Sequence, residues 1–398
     1  MSLTLLLDLD DTLLVNKMDV FIPAYLKALS GHLASYSDPN KLIQALLAAT
    51  NESVNNTDPG LTLKKVFDAS FYPAIGVDQE TIRNATDYFY AEIFSSLRNH
   101  TRPMDGAVQL VMGAVKRGYQ IALATNALFP QMAVVHRLKW ANLSPDMYPF
   151  AIIPSYETFH FAKPNPAYFT ELLARLGWPD QPVVMIGDDI YNDVIPAQKA
   201  GLPVYCVNID CLPPESIQGI AGCGKISGVL DWIDSIPKEK LQPAYTLPNA
   251  MLAILRATPA ALQTISSQLA PGTWAVQPIL GEWSLTEILC HLRDVEIEVN
   301  LPRIIKVLDE TNPFLPGKDT DPWATERDYI HQDGNLALHE FINARKGLLS
   351  RLDPITDSSW SRQVRHAIFG PTTLQELVNI IASHDRLHIQ QIFKNIQM

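Results

Sequence analysis

The segment LLLDLDDTL, residues 5–13, ends an apolar run on Asp8 and places a second carboxylate two residues later at Asp10. A period of two sends both side chains to the same side as the chain leaves a strand. Carboxylates this close repel each other unless a cation or a shared proton lies between them. An acidic strand end taken alone also fits a solvated turn, but three further segments accompany it. IALATNA ends an apolar run on Thr125, HFAKPNP carries Lys163, and VVMIGDDIYND ends a run on Asp188, with Asp189 and Asp193 following. A hydroxyl for a phosphate oxygen, a cation and a set of metal-ligating acids are the parts that phosphoryl transfer requires.

A second group lies far downstream. Six of the ten histidines fall between positions 291 and 388. Within ASHDRLHIQQI, His384 and His388 are four apart, so one helix face presents both imidazoles. His291, near the start of a helix opened by Ser284, is the natural third ligand of a three-point metal site with open positions. The same spacing also occurs as a plain surface pair. Imidazole suits Zn, Ni, Cu or Fe. Cys290 should point elsewhere on its helix. Arg293 and Asp294 fit either a supporting role or an exposed ion pair, and His331, His339 and His366 read as surface or loop residues.

These residues need elements to hold them. Over the first 240 or so residues, short aliphatic runs at 3–7, 120–124, 150–154, 183–186 and 203–207 alternate with amphipathic stretches. Runs without polar alternation are strands buried on both faces, which predicts a parallel α/β sheet. Asn165-Pro166 starts a helix that Gly177 closes, and Gly201 closes another. Between the first two strands the chain is helical, opened by Asp38-Pro39 and by Asp78. Phe67, Phe71, Tyr72, Tyr88, Phe89 and Phe94 fall at helical spacing there and predict the core of a small insertion. Residues 236–249 hold three prolines and no periodicity, as a linker does. Beyond it strand signals stop. Helices are expected over 250–255, 259–269, 285–308, 336–352 and 374–396, two of them opened by the capping boxes Ser284-x-x-Glu287 and Thr373-x-x-Glu376. A long loop over about 312–334 completes an all-α bundle.

Composition sets outer limits. The net charge of −11 and scattered basic residues argue against a nucleic-acid partner. No run approaches the roughly 20 apolar residues of a membrane helix, and the N-terminus turns acidic too early for a signal peptide. Cys206, Cys211, Cys223 and Cys290 form no framework, so reduced thiols and a cytoplasmic protein are expected.

In their order and separations, the four acidic, Thr and Lys segments resemble motifs one to four of the haloacid dehalogenase superfamily, over residues 1 to about 235. The resemblance implies an α/β Rossmann-like core over 1–14 and 101–235, with a helical cap inserted over 15–100. It makes Asp8 the nucleophile, forming an aspartyl-phosphate. Asp10 becomes the general acid and then base. Thr125 and Asn126 contact the phosphate, and Lys163 neutralises charge on it and on Asp8. Mg2+ falls to Asp8, Asp10 through its backbone carbonyl, and Asp188. Asp189 and Asp193 complete the cluster, with Asp193 the better match. The dehalogenases lack the second motif-one aspartate, so Asp10 points to phosphate esters. Transfer to another hydroxyl, as in the superfamily's mutases, stays open. The implied substrate is a small phosphorylated metabolite, contacted by Asn16, Lys17 and the cap aromatics.

WSLTEILCHLRDVE, FINARKGLL and FGPTTLQELVNIIASHDRLHIQQI resemble the DinB-like four-helix bundle family, with all three of its histidine positions occupied. That implies a bundle over 249–398, after a linker over 236–248, with Zn2+ or Ni2+ on His291, His384 and His388. Some relatives transfer low-molecular-weight thiols or isomerise small acids. An accessory metal-binding module and a second activity therefore both stay open, and the pairing habit of such bundles makes a homodimer an expectation.

Overall fold

The computed structural model describes residues 2–207, 221–277, 279 and 281–396. Two compact units emerge: Met1–Thr57, Leu61–Leu172 and Pro179–Ala244 form one, and Asp58–Gly60, Leu173–Trp178 and Tyr245–Met398 form the other.

In the first unit, β1 (Thr4–Leu7) leads through β2 (Leu14–Asn16) into four helices: α1 (Met18–His32), α2 (Pro39–Val54), α3 (Leu63–Ile75) and α4 (Gln79–Tyr88). The chain returns at β3 (Thr101–Pro103), which pairs antiparallel with β2. The helical excursion thus leaves and re-enters through one two-stranded stem. Then follow α5 (Ala107–Lys116), β4 (Gln120–Leu123), α6 (Gln131–Trp140), α7 (Pro166–Arg175) and β5 (Val183–Gly187). The unit ends with α8 (Ile195–Lys199), β6 (Val204–Cys206), β7 (Gly222–Cys223) and α9 (Val229–Ser235).

The five core strands are parallel in the order β4-β1-β5-β6-β7. Every residue of β1 and β5 is buried, which explains their unbroken aliphatic runs. Two expectations need correction. Residues 150–154 form a single bridge to Ile121 instead of a strand, and Pro154, lacking an N–H, cannot extend that ladder. The edge strand β7 is Gly-Cys, too short to register as an apolar run.

Within the insertion, Asp38 caps α2 by accepting from the Asn40 and Lys41 amides. Phe71, Phe89 and Phe94 are buried as expected, but Tyr88 is exposed. After Tyr88 the helix changes to π winding over Phe89–Ile93, which rotates the inward face by one residue.

The second unit contains α10 (Pro248–Gln268), α11 (Leu285–Val295), α12 (Leu301–Asp309), β8 (Phe314–Leu315) and α13 (Trp323–Glu326). It continues through α14 (Gly334–Leu352), β9 (Gln363–His366) and β10 (Gly370–Thr373) to α15 (Leu374–Ile396). The two helices expected on either side of Pro259 are one, α10. Pro259 and the residues around it are buried, so packing outweighs the lost backbone bond. A π turn, Glu296–Asn300, joins α11 to α12. The small sheet β10-β9-β8 is an addition to the expected helical bundle, and its strands are too short to show a period. It also moves His366 from the surface into an alternating, half-buried strand. Both capping boxes form. Cys206, Cys223 and Cys290 carry free thiols, and Cys211 lies outside the described residues. No helix among the described residues is long and apolar enough to cross a membrane.

Candidate active site and metal centre

Three adjacent parallel strands end at the same edge, where open α/β sheets bind ligands. Asp8 follows β1, Thr125 stands just beyond β4, and Asp188 follows β5. Gly187 is required before Asp188, because a Cβ there would meet Asp193 Oδ2 at 2.3 Å. Asp8, Asp188 and Asp193 each offer a carboxylate oxygen within 4.8 Å of the others. Lys163 Nζ lies 2.7 Å from Asp8 Oδ1 and also donates to Asp193 Oδ1.

Burial raises the Asp8 carboxyl well above its ordinary value, and Asp193 adds to the rise while Lys163 opposes it. Asp188 is pushed up to about 7, by burial first and then by Asp193 and Asp11. Burial works against a charged Lys163, but Asp193 and Asp8 outweigh it and hold the ammonium protonated. Two buried acids, Asp8 and Asp193, thus share one lysine, with the half-buried Asp188 beside them. An all-oxygen donor set with surplus negative charge fits a hard divalent cation such as Mg2+.

Lys163 stands on a loop before α7, and that loop is pinned. The Glu171 carboxylate accepts from the His160 and Phe161 amides and pairs with His160 Nδ1 at 2.8 Å. Both His160 and Glu171 are fully buried. Asn126 Oδ1 accepts the Lys163 amide at 3.1 Å, and Tyr168 donates its hydroxyl to the Thr125 carbonyl.

Asp10 is held apart from the acid cluster. Asn16 Nδ2 donates to its Oδ1 at 2.8 Å, and Arg137 donates to the same oxygen. Arg137 is buried, with its guanidinium 5.7 Å from the Phe21 ring centre and 5.3 Å from that of Phe129. Its Nε has no hydrogen-bond partner among the described residues.

A cavity of about 220 Å3 opens from Asp10, Asn126 and Arg137 into the inserted helices, walled by Ile22, Tyr25, Leu29, Leu46, Phe67 and Phe71. Part of the aromatic stripe therefore faces space instead of sealing a core.

In the second unit, His291 of α11 meets His384 and His388 of α15. The Nε2 atoms of His291 and His388 each lie 3.1 Å from His384 Nε2. Burial lowers His291 to about 3, with His388 and His384 adding to it, and lowers His384 and His388 to about 4. Gln391 Oε1 lies 3.0 Å from His388 Nδ1, leaving Nε2 as the free ligand atom. Three neutral, converging imidazoles fit a borderline-soft divalent ion. Beside them, buried Arg345 bridges Glu296 and Asp385, and Cys290 Sγ turns away, toward the Tyr329 carbonyl at 4.0 Å.

The haloacid dehalogenase-like hydrolase family matches residues 3–201. The chain belongs to that family. Residues 254–392 match the DinB superfamily. The chain is 30% identical over 109 residues to a phosphoglycolate phosphatase of Mesorhizobium japonicum, and 32% identical over 108 residues to one of Thiobacillus denitrificans. Each match takes in 27% of this chain and 45% of the relative, so the chain spans less than half the length of these curated relatives. Among solved structures, a HAD phosphatase from Thermococcus onnurineus is 16% identical, with TM-score 0.39, over 60% of this chain and 100% of that one. YfiT from Bacillus subtilis, a four-helix bundle, is 20% identical, with TM-score 0.35, over 41% and 90%.

Not every expected residue reaches the site of this hydrolase. Asp189 caps the turn after β5, accepting from the Tyr191 and Asn192 amides, and is not part of the acid cluster. Lys17 is exposed and lies outside the cavity wall. Asn16 is buried against Asp10, a positioning contact in place of the expected substrate contact. Asn126 reaches both the Lys163 loop and the cavity. Arg137 has no motif; its one sequence signal is that it shares a helix face with the buried Ala133, Val134 and Ala141. The fully buried Glu171 lies in the helix that Asn165 opens, where an acid ordinarily reads as solvated.

Proposed function

We propose that this hydrolase is a Mg2+-dependent phosphomonoesterase acting on a small phosphorylated metabolite through an aspartyl-phosphate on Asp8. The observation that carries the reading is one constellation: Asp8, Asp188 and Asp193 clustered with Lys163, and Asp10 at the mouth of an adjacent cavity. Mg2+ held by Asp8, Asp188, Asp193 and the Asp10 carbonyl would supply positive charge against the incoming phosphoryl oxygens. An Asp8 oxygen attacks phosphorus as the ester P–O bond breaks. Asp10, oriented by Asn16 and Arg137, gives its proton to the departing oxygen. It then takes a proton from the water that cleaves the aspartyl-phosphate, which releases phosphate and restores Asp8. Lys163 and the Thr125 hydroxyl hold the phosphoryl oxygens during both steps.

The curated relatives make 2-phosphoglycolate an obvious first metabolite to assay. The deciding experiment is phosphate release from p-nitrophenyl phosphate with Mg2+, in wild type and Asp8→Asn. The expected loss is at least about 1,000-fold, because the nucleophile itself is removed. Equal rates in the two proteins sink the assignment.

The bundle reads as an accessory module carrying Zn2+ or Ni2+ on His291, His384 and His388. Three neutral imidazoles leave coordination positions open, and that supports a second reading in which the domain transfers thiols or isomerises small acids.

A further inference from the structure

The cavity beyond Asp10 has a chemistry of its own. Among the described residues, its only charged lining groups are Asp10 and Arg137, and these two are already paired with each other. The wall that the inserted helices supply is mostly aliphatic and aromatic, with Thr50 and Thr86 as uncharged polar residues among them, and Thr86 donates its hydroxyl to the Ile82 carbonyl. The hydroxyls of Tyr25 and Tyr90, which also line it, satisfy each other at 2.8 Å. A carboxylate-bearing leaving group such as glycolate would meet no cation on the wall that the inserted helices supply, and burying an unmatched charge there is costly. An apolar group gains there, since it displaces water from apolar walls.

Building on the phosphomonoesterase reading, we propose that the natural substrate is the phosphate ester of an apolar alcohol whose carbon chain or ring fills the cavity beyond Asp10. The volume of about 220 Å3 corresponds to roughly seven water-sized units, hence to a leaving group of about that many non-hydrogen atoms. The cavity thus selects for leaving-group hydrophobicity, and the phosphoryl constellation stays indifferent to it.

The test is phosphate release from n-alkyl phosphates, methyl to hexyl, with 2-phosphoglycolate and acetyl phosphate alongside, in wild type, Asp8→Asn and Leu46→Asp. Expected is a rise in kcat/KM of about fourfold per methylene, the worth of one buried CH2, with hexyl phosphate well ahead of 2-phosphoglycolate. Leu46→Asp, which puts a charge on the half-buried wall, should shrink the hexyl-to-methyl ratio at least about tenfold. Asp8-dependent release with a flat series, or with 2-phosphoglycolate the better substrate, overturns the cavity assignment alone. Absence of Asp8-dependent release from every ester and from the acyl phosphate acetyl phosphate overturns the phosphatase reading beneath it.

Discussion

Arg137 reaches Asp10 across 127 positions of sequence and donates to the oxygen that Asn16 also holds. The contact couples α6 to the turn after β1, and it fixes the carboxylate at the cavity mouth, away from the acids that cluster around Lys163. Two rings flank the guanidinium, so it cannot swing away without opening a packed core.

If that contact aims Asp10 at the leaving oxygen, Arg137→Met should lower kcat by about 10- to 100-fold, part of what a positioned general acid contributes. KM should move much less. Arg137→Lys, which keeps charge but loses the fork geometry, should fall between the two. Steady-state kinetics on p-nitrophenyl phosphate decides it: an unchanged kcat in Arg137→Met removes Arg137 from the mechanism.

Asp188, pushed up to about 7 by burial and by Asp193, makes cation binding proton-linked. Below pH 7 a proton competes with Mg2+, so apparent affinity should rise with pH by up to about tenfold per unit toward 7 and level off above it. The metal-free protein shows the other face of the linkage. A folded carboxyl raised above its unfolded value binds the extra proton in the folded state. Its stabilising effect is therefore full below about pH 4 and lost as pH rises to 7. Calorimetric Mg2+ titrations at pH 6 and 8 test the first statement. Thermal unfolding at several pH values, with and without Mg2+, tests the second. Equal affinities at the two pH values contradict the scheme.

Glu171 offers a prediction about support for catalysis from outside the reacting atoms. Its carboxylate holds two backbone amides and His160 in a fully buried site. Replacing it with Ala strands those donors, at a cost of about 3 kcal/mol and roughly 6–12 °C in Tm. The released loop carries Lys163, so kcat should fall as well, even in protein that remains folded at the assay temperature. Differential scanning calorimetry with kinetics at 20 °C separates the two effects. A normal Tm would show that the pair does not hold the loop.

The catalytic strand ends were legible because their signals are local. Asp8, Thr125 and Asp188 each end a run that only a doubly buried strand explains, and β4, β1 and β5 lie side by side. What lay hidden depends on tertiary partners. Nothing near Arg137 or Glu171 reveals that a carboxylate or a set of amides waits for it across the fold. The division of labour between Asp189 and Asp193 is equally invisible, since both follow the same strand and only the π turn Ile190–Val194 sends one to the cluster and the other to a cap. The strands β8 to β10 escaped for a simpler reason: two to four residues cannot establish a period of two against noise.

The histidine centre gives the last prediction, and its pH range lies below that of an exposed site. A free imidazole titrates near 6.5, and an ordinary three-histidine site sheds its metal as pH falls past that value. Here burial, joined by repulsion from neighbouring rings at His291 and His388 and by the Arg345 charge at His384, holds the three rings at about 3 and about 4, so protons compete little until the pH nears 4. Zn2+ or Ni2+ should therefore stay bound through dialysis at pH 5. His384→Ala, by removing the ring whose Nε2 lies 3.1 Å from both others, should lose it at pH 7.5. Elemental analysis of both proteins reads this directly. Without metal the same shifts make the domain less stable as pH falls. Rings that stay neutral when folded but take protons when unfolded contribute stability above about 6.5, and that stability is lost as pH drops toward 4. A wild-type protein stripped of metal at pH 5, or a variant that keeps full stoichiometry, would mean that the three rings do not form the site.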